Sequence, residues 1–374
     1  MLVLKIMSDR LKRLFDEHGQ SPWLDNLKRS YITTGELNRV RESGIRGLTS
    51  NPTIFQKAIQ GSDEYTKQFK SLIATKTSTL DSYWGLVLED INGALDAFEP
   101  LYQSSGGLDG FVSVEVDPNL AHQGAETLDA GRKLHQRINR DNVMIKIPAT
   151  VQGVPAIRSM ISEGRNVNVT LIFSLDRYQD VMNAYIDGLE ILQLEHPAKV
   201  AQVASVASFF ISRVDTEIDR QLQANGSDGA IALCGTAAIA QAKLAYQMFE
   251  QTFSGARWEK LAALGAHVQR PLWASTSTKN VKYPDTLYVD QLIGPNTVNT
   301  LPDTTVEAFS DHGNLSTTIN QGLDQAHWQW SQLAEFGVDV ASVAAQLEHE
   351  GVSSFRKSFD ELLSVLDAKA VELT

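Results

Sequence analysis

The chain alternates short runs rich in β-branched and aromatic residues with longer stretches in which apolar residues recur at helical intervals. This order is typical of repeated βα units, because two neighbouring parallel strands need a long crossover, usually a helix, between them. Eight short runs can be counted, at residues 21–25, 47–51, 111–116, 143–148, 167–173, 203–210, 271–276 and 286–293. No Pro- or Gly-rich linker divides them, so the sequence predicts an α/β fold with one closed (β/α)8 barrel, a TIM barrel, and not an open doubly wound sheet.

The spacing of the runs predicts helices beyond the repeated pattern. Regular helical candidates lie at 34–43, 121–139, 154–163, 175–194 and 231–253. About sixty residues separate the second and third runs, and about sixty the sixth and seventh, so we expect extra helices in both gaps. Segment 65–101 is predicted as two helices, with Thr79-Leu-Asp81 as a start signal. Further helices at 319–336 and 338–366 should pack outside the barrel. We expect one domain over residues 1–374, with a core at about 20–310 and C-terminal helices at about 311–374.

Charge and composition exclude several classes of partner. The 33 Lys and Arg against 45 Asp and Glu give a formal net charge of −12, which repels nucleic acid and anionic membranes, and no apolar run approaches 20 residues. We therefore expect neither a nucleic-acid nor a membrane partner. A phosphate-bearing ligand would need local cations.

The opening segment 1–7 is too short for a secretory signal, and translation could begin at Met1 or Met7.

The sequence predicts no cofactor and no metal. Cys234 is the only cysteine, which excludes an intrachain disulfide and a multi-cysteine zinc site and fits a cytoplasmic location. The eight histidines lack metal-ligand spacing. Neither Gly-x-Gly-x-x-Gly after the first strand nor Gly-x-x-x-x-Gly-Lys-Ser/Thr anywhere is present, so no dinucleotide or nucleotide site is indicated.

Polar residues occur late in most of the predicted strands. In a (β/α)8 barrel the catalytic groups lie at the carboxyl ends of the strands, and side chains alternate between the interior and the helix layer. The residues predicted to face the barrel mouth are Asp25, Thr49 with Asn51, Ser113 with Glu115, Asn166 with Asn168 and Thr170, Ser208 with Phe210, and Ser275 with Trp273. On the fifth strand, Val167, Val169, Leu171 and Phe173 are predicted to share the opposite face.

Lys146 stands alone among apolar residues in the fourth strand. A buried lysine is costly, so its presence indicates a structural ion pair, a side chain that extends outward to solvent, or a reactive amine. At the ordinary lysine pKa of about 10.4, few amines are neutral at pH 7, and only the neutral amine attacks a carbonyl. The resulting iminium would withdraw electrons, so that a nearby C–C bond breaks with the help of a base and an acid/base group.

Five motifs are similar, in the same order along the chain, to those of the transaldolase family. They are Gly47-Leu-Thr-Ser-Asn-Pro-Thr53, Val112-Ser-Val-Glu-Val-Asp117, Val143-Met-Ile-Lys-Ile-Pro148, Asn168-Val-Thr-Leu-Ile-Phe-Ser174 and Trp273-Ala-Ser-Thr-Ser-Thr-Lys279. The segment from Tyr288 to Pro302 resembles the longer bacterial subgroup of this Schiff-base class I aldolase superfamily. The resemblance spans essentially the whole chain.

The resemblance implies reversible transfer of a dihydroxyacetone unit from sedoheptulose 7-phosphate or fructose 6-phosphate to an aldose phosphate, in the non-oxidative pentose phosphate pathway. It implies that Lys146 forms the Schiff base, that Glu115 is the acid/base group acting through a water, and that Asp25 takes the C4 hydroxyl proton. Asn51 and Asn168 would hold substrate hydroxyls. Thr170 would position the water.

The family pattern also implies a phosphate site with one departure. Its Ser-x-Phe-x-x-Arg pattern is matched by Ser208-Phe-Phe-Ile-Ser-Arg213, which makes Arg213 the first anion ligand, with Ser208, Phe210 and Thr49 beside the substrate. Many relatives have a serine followed by an arginine after the seventh strand. Here Ser275 is followed by Lys279, which keeps the charge and loses the bidentate geometry of arginine.

Alternatives remain open from the residues alone. Glu115 could form a structural ion pair, Asp25 could cap a helix or a turn, Arg213 could pair with a neighbouring acid, and Asn51 before Pro52 is an ordinary turn signal. A fructose-6-phosphate aldolase-type lyase would use the same parts as a transaldolase. A glycoside hydrolase with two carboxylates and a non-catalytic barrel are further alternatives. Both a monomer and a homodimer are compatible with the sequence.

Overall fold

A computed structural model describes residues 9–373, so the predicted start at Met1 or Met7 lies outside the described residues. Eight parallel strands form a closed barrel in chain order, and the eighth strand pairs with the first. The strands are β1 Gln20–Leu24, β2 Gly47–Thr49, β3 Val112–Glu115, β4 Val143–Pro148, β5 Val167–Ile172, β6 Ser205–Phe210, β7 Arg270–Ala274 and β8 Thr297–Leu301. The predicted (β/α)8 barrel is confirmed.

Helices surround the barrel and fill the long connections. They are α1 Arg10–His18, α2 Arg29–Thr33, α3 Glu36–Glu42, α4 Pro52–Gln60, α5 Thr66–Ala74, α6 Thr79–Ser104, α7 Gly124–Ile138, α8 Gly153–Ser162, α9 Leu175–Glu195, α10 Ser212–Asn225, α11 Asp228–Ile231, α12 Ala237–Thr252, α13 Ala256–Ala262, α14 Leu287–Asp290, α15 Asp303–His312, α16 Leu323–Glu335 and α17 Val340–Leu373. Short 3₁₀ turns lie at Asp63–Tyr65, Pro118–Leu120 and Pro197–Gln202. No helix within residues 9–373 is both long enough and apolar enough to cross a membrane.

The extra helices lie where the long gaps predicted them. Between β2 and β3 the chain forms α4, α5 and α6, and between β6 and β7 it forms α10 to α13. The start signal before α6 works through Ser78, whose hydroxyl accepts a hydrogen bond of 3.1 Å from the Asp81 amide. This bond satisfies one of the free N–H groups in the first turn of the helix.

The eighth predicted strand was wrong. Segment 286–293 contains the short helix α14, and β8 follows at Thr297–Leu301, in register with β1 from Gln20 to Leu24. The apolar residues of that segment are buried for another reason: Tyr288 donates to Asp215 at 2.8 Å, and the Leu292 carbonyl accepts from Trp273 Nε1 at 3.1 Å. Segment 286–293 is therefore rich in apolar residues because it is buried against the outside of the barrel, and this composition resembles that of a strand.

Two helical predictions also need correction. The stretch 34–43 begins after Gly35, whose φ of +70° separates α2 from α3. The stretch 231–253 is broken by Gly235, whose φ of +76° separates α11 from α12. Left-handed backbone interrupts a right-handed helix, and glycine adopts it without steric cost. The sixth strand begins at Ser205, two residues later than predicted.

The amino ends of the strands are closed by a buried ion cluster. Asp109, which is fully buried, accepts hydrogen bonds from Arg46 Nε at 2.6 Å, Ser21 Oγ at 2.9 Å and Arg270 Nη2 at 3.1 Å. Residues 46 and 109 precede β2 and β3, while the two others lie at the starts of β7 and β1. This end of the barrel is therefore sealed, and a ligand must enter at the opposite end.

Candidate active site

A cavity of about 140 Å³ opens at the carboxyl ends of the strands. Ten of the twelve predicted site residues line it: Asp25, Thr49, Asn51, Lys146, Thr170, Ser208, Phe210, Arg213, Ser275 and Lys279. Glu115 touches Lys146 from β3, and Asn168 lies one layer deeper in the barrel. Strands and loops far apart in the sequence thus bring the predicted residues to one place.

The Lys146 amine is buried in the middle of β4, and the residue is only 4% exposed. The strand register sets it between Glu115 on β3 and Asn168 on β5, so all three side chains share the inner face. Its Nζ donates to the Ser50 carbonyl at 3.3 Å and lies 3.5 Å from Glu115 Oε2. The lysine therefore does not extend outward to solvent. It forms a buried charge pair at the long limit for a hydrogen bond.

Glu115 and two threonines place oxygen atoms around this amine. Burial raises the pKa of Glu115, while the charges of Lys146 and Arg213 oppose the rise. Glu115 Oε2, Thr170 Oγ1 and Thr49 Oγ1 are buried and have no hydrogen-bond partner among residues 9–373. Such groups are costly unless something else bonds to them, so they are available to substrate hydroxyls or water.

Asp25 follows directly after β1 and is half-buried. Burial raises its pKa, and nearby Lys146, Lys279 and Arg213 oppose the rise. Asp25 lines the same cavity as all three of these cations. Among the described residues it forms no capping hydrogen bond, and α2 begins after Lys28. The helix-capping alternative for Asp25 was wrong.

The two predicted asparagines differ in placement. Asn51 Oδ1 accepts from the Ile54 amide at 3.0 Å and caps α4, as the turn signal indicated, while the residue also lines the cavity. Asn168 is fully buried, donating to Ser113 Oγ at 3.0 Å and accepting from Ser208 Oγ at 2.7 Å. Asn168 therefore lies beneath the cavity wall that Lys146 and Thr170 form.

Two residues predicted at the mouth lie elsewhere. Asn166 lies at the amino end of β5, where Nδ2 donates to the Asp141 carbonyl at 2.8 Å and Oδ1 accepts from the Ala204 amide at 2.8 Å. Trp273 faces the helix layer, 6.3 Å from the Phe209 ring. Ser275 reaches the cavity without sharing its face, because a φ of +57° turns the chain there.

The predicted inner–outer alternation of β5 stops before Phe173. Leu171 has a φ of +60°, and the pairing with β6 shifts between Val169 and Ile172. This is a β-bulge, which adds a residue and redirects the side chains that follow. Phe173 accordingly packs 5.0 Å from Phe210, a residue of the cavity wall.

Arg213 and Lys279, here called the cationic rim, line the cavity together with the carboxylate Asp25. Arg213, in the first turn of α10, places its guanidinium 5.2 Å from the Phe210 ring, and burial lowers its pKa. Ser275 Oγ is 2.9 Å from Ser212 Oγ, and exposed Lys279 donates to Ser277 Oγ at 2.7 Å.

Arg213 does not form the ion pair considered from its sequence neighbours. Asp215 accepts from Tyr288, and Glu217 pairs with Arg220 at 2.6 Å. Among the described residues no ion pair engages Arg213. Its charge is therefore available to the cavity.

Sequence reasoning missed several residues of the cavity wall, which are Leu272, Ala274, Ser277, Thr300, Pro302 and Phe355. Thr300 was missed because β8 was placed too early. Phe355 comes from α17, and neither spacing nor motif connects it to the barrel mouth. No group of three or more His, Cys, Asp or Glu within residues 9–373 is arranged to hold a metal ion.

Comparison with known proteins identifies the family. A sequence model described as transaldolase/fructose-6-phosphate aldolase matches residues 22–366. A transaldolase of Parafrankia sp. (strain EAN1pec) is 48% identical over 350 residues, 93% of this chain and 95% of the relative. Transaldolase 1 of Streptomyces avermitilis is 45% identical over 98% of this chain and 97% of its own length. A transaldolase of Mycolicibacterium smegmatis is 46% identical over 92% and 93%, respectively. The chain is therefore an enzyme that belongs to the transaldolase/fructose-6-phosphate aldolase family.

Proposed function

We propose that the chain is a transaldolase, a transferase that moves a dihydroxyacetone unit between sugar phosphates through a Schiff base on Lys146. The observation that carries the proposal is the buried Lys146 amine, 3.5 Å from Glu115 in a cavity ringed by polar strand ends. The donor is sedoheptulose 7-phosphate or fructose 6-phosphate, and the acceptor is an aldose phosphate. The reaction belongs to the non-oxidative pentose phosphate pathway.

Lys146 attacks the ketose carbonyl, and loss of water gives the iminium. Glu115 moves protons in these steps through a water that Thr170 holds, a role for which the raised pKa of Glu115 is suited, because its neutral form remains accessible nearer to neutral pH. The unpartnered oxygens of Thr170 and Glu115 support this assignment.

Cleavage of the C–C bond needs a base beside the C4 hydroxyl. Asp25 takes that proton, the bond between C3 and C4 breaks, and its electrons form the enamine while the aldose leaves. Asn51 holds a hydroxyl of the bound unit directly. Asn168, whose amide bonds Ser113 and Ser208, supports the wall beside Lys146.

The phosphate binds at the cationic rim. Arg213 lies at the start of α10, where free backbone N–H groups and the helix dipole favour an anion. Ser275 and Lys279 complete the site from the β7–β8 loop, with Thr49, Ser208 and Phe210 lining the path from the amine. Because the chain is acidic overall, these cations supply the local attraction.

Borohydride trapping tests the proposal. Reduction in the presence of fructose 6-phosphate should fix the sugar unit covalently on the Lys146 peptide, and Lys146→Ala should abolish both adduct and turnover while retaining the fold. Lys243→Met is the matched control, because Lys243 is also buried and donates to the Gln321 carbonyl away from the cavity. Turnover in Lys146→Ala, or an adduct only on other lysines, would refute the mechanism.

A lyase that releases free dihydroxyacetone is the second candidate, because the matching family includes fructose-6-phosphate aldolase. Fructose 6-phosphate supplied without an acceptor discriminates the two. A transaldolase should release glyceraldehyde 3-phosphate only up to about one equivalent of enzyme, whereas a lyase should release it steadily. A glycoside hydrolase would have no use for the Lys146 amine.

The proposal includes no cofactor and a cytoplasmic location, which the single Cys234 supports. A monomer and a homodimer are both compatible with it. Solution mass distinguishes the two.

A further inference from the structure

Helix α17 contacts elements that follow β2, β3 and β5 at the carboxyl end of the barrel. Ser358 and Thr53 share a hydrogen bond of 2.8 Å, which connects α17 to the first turn of α4, after β2. Arg356 Nε donates to Asn119 Oδ1 at 3.0 Å after β3, and Glu348 lies 3.5 Å from Arg177 after β5. The C-terminal helix therefore packs at the carboxyl end of the barrel and contributes to the cavity wall, and it does not pack only on the outside.

Gly351 allows this helix to approach the site closely. A Cβ at this position would lie 2.9 Å from Leu171 Cδ2 and 3.6 Å from Arg213 Nη1. Leu171 occupies the bulge of β5, directly after Thr170. Helix α17 therefore packs closely against the part of the cavity wall that carries Thr170 and Arg213.

Phe355, one turn beyond Gly351, is the contact of α17 with the cavity. The residue is 4% exposed, and its ring centroid lies 5.8 Å from Lys146 Nζ and 5.9 Å from Arg213 Cζ. Among the described residues that line the cavity, Phe355 alone comes from beyond Pro302. The ring therefore lies beside both the Lys146 amine and the Arg213 guanidinium in the cavity wall.

We propose that Phe355 determines whether the bound dihydroxyacetone unit is transferred or released, an inference that rests on the proposed function. The enamine on Lys146 has two outcomes. Its carbon can attack an aldehyde, forming a C–C bond while the aldehyde oxygen takes a proton. Alternatively, water can give a proton to that carbon and the resulting hydroxide can add to the iminium, which releases dihydroxyacetone and the free amine with consumption of one water.

The ring disfavours the second outcome by its position and chemistry. An aromatic face offers water no strong hydrogen bond and fills volume beside the amine. An acceptor aldehyde carries its own phosphate to the rim and reaches the enamine with that added binding energy. Water has no comparable anchor.

Phe355→Leu tests this inference, since leucine keeps apolar packing and removes the ring. Two rates are measured with fructose 6-phosphate: glyceraldehyde 3-phosphate release without acceptor, and transfer to a four-carbon aldose phosphate. We expect the ratio of release to transfer to rise about tenfold, equivalent to ~1.4 kcal/mol between the two barriers. Phe355→Met replaces the ring with an unbranched apolar side chain of similar size to leucine and repeats the test in a second background.

Phe359→Leu is the matched control, because Phe359 lies one turn further along α17, is equally buried, and packs 5.0 Å from Tyr83 away from the cavity wall. Its ratio should stay at the wild-type value. An unchanged ratio in both Phe355 variants, or an equal rise in Phe359→Leu, would overturn the inference. Absence of a borohydride adduct in the wild type would instead contradict the proposed function.

Discussion

At the residue scale, the two cations of the rim differ in chemistry and in support. Arg213 is half-buried between the rings of Phe210 and Phe355, at 5.2 and 5.9 Å. Lys279 is exposed on a loop and bonded only to Ser277 among the described residues. A guanidinium held by two rings loses less freedom on binding phosphate than a mobile ammonium does. Arg213 should therefore contribute more to phosphate binding.

Arg213→Ala should raise KM for fructose 6-phosphate by roughly 10- to 100-fold, because a charge-assisted pair contributes about 1.5–3 kcal/mol. Lys279→Ala should raise it less, and Lys279→Arg should lower it, since arginine restores a bidentate ligand. Steady-state kinetics measure these changes. Trapping of unphosphorylated dihydroxyacetone on Lys146 serves as the control and should not change. A larger effect at Lys279 than at Arg213 would reverse the assignment.

At the element scale, two Asp–Tyr hydrogen bonds attach the β7–β8 connection to α10. Tyr288 donates to Asp215 at 2.8 Å, and Tyr283 donates to Asp219 at 2.6 Å. The connection carries Lys279 and the helix carries Arg213. These bonds therefore hold both cations of the rim in one arrangement, and they explain why 286–293 is buried without being a strand.

Asp215 should make stability depend on pH. Burial raises the pKa of Asp215 to about 7, whereas the pKa of an aspartate in the unfolded chain is about 3.9. Between these values the folded state holds one more proton, so this contribution to the free energy of unfolding is fully present below about pH 4 and is lost as pH rises through about 7. The loss between pH 5 and 7 should be roughly 2 kcal/mol.

Urea unfolding at several pH values measures this dependence. Asp215→Asn should unfold with a free energy that falls less between pH 5 and 7 than in the wild type, because asparagine does not titrate. Asp219→Asn is a useful comparison, since Asp219 is less buried in the same cluster and burial raises its pKa as well. Parallel pH profiles in the wild type and Asp215→Asn would contradict the prediction.

At the scale of the whole molecule, the amino end of the barrel contains stabilising ion pairs and the carboxyl end contains the cavity. The amino end is sealed by Asp109 with Arg46 and Arg270, and the carboxyl end holds the cavity beneath α17. Separation of stabilising groups from reacting groups is common in this fold. Substitutions at the sealed end should change stability without changing catalysis.

Asp109→Ala should lower the free energy of unfolding by about 3–5 kcal/mol, because it leaves two arginines without their buried counterion. Asp129→Ala is the control: its exposed pair with Lys133 should contribute less than about 1 kcal/mol. Thermal unfolding gives the stability, and kcat of the folded fraction should match the wild type in both. A large fall in kcat for folded Asp109→Ala would show that the two ends are coupled.

Much of the barrel could be predicted because the alternation of polar and apolar residues along a strand is a local pattern in the sequence. Lys146 among apolar neighbours, and Asn168 two residues before Thr170, are visible in the sequence, and parallel register then brings their strands together. The prediction of β8 failed because an apolar composition indicates that a segment is buried, not which secondary structure it forms. Helix α14 is buried beside Asp215 as a strand would be. The prediction of one domain over 1–374 stays a prediction.

The sequence by itself determined the family, the βα order and ten residues of the cavity wall, because these depend on motifs and on a two-residue period. Only the tertiary structure decided which groups meet across the barrel: Asn168 beneath the wall, Trp273 turned outward, and Phe355 above Lys146. Phe355 lies more than two hundred residues from that lysine. Contacts between residues this far apart in the sequence depend on how the helices pack, and no local sequence pattern predicts that packing.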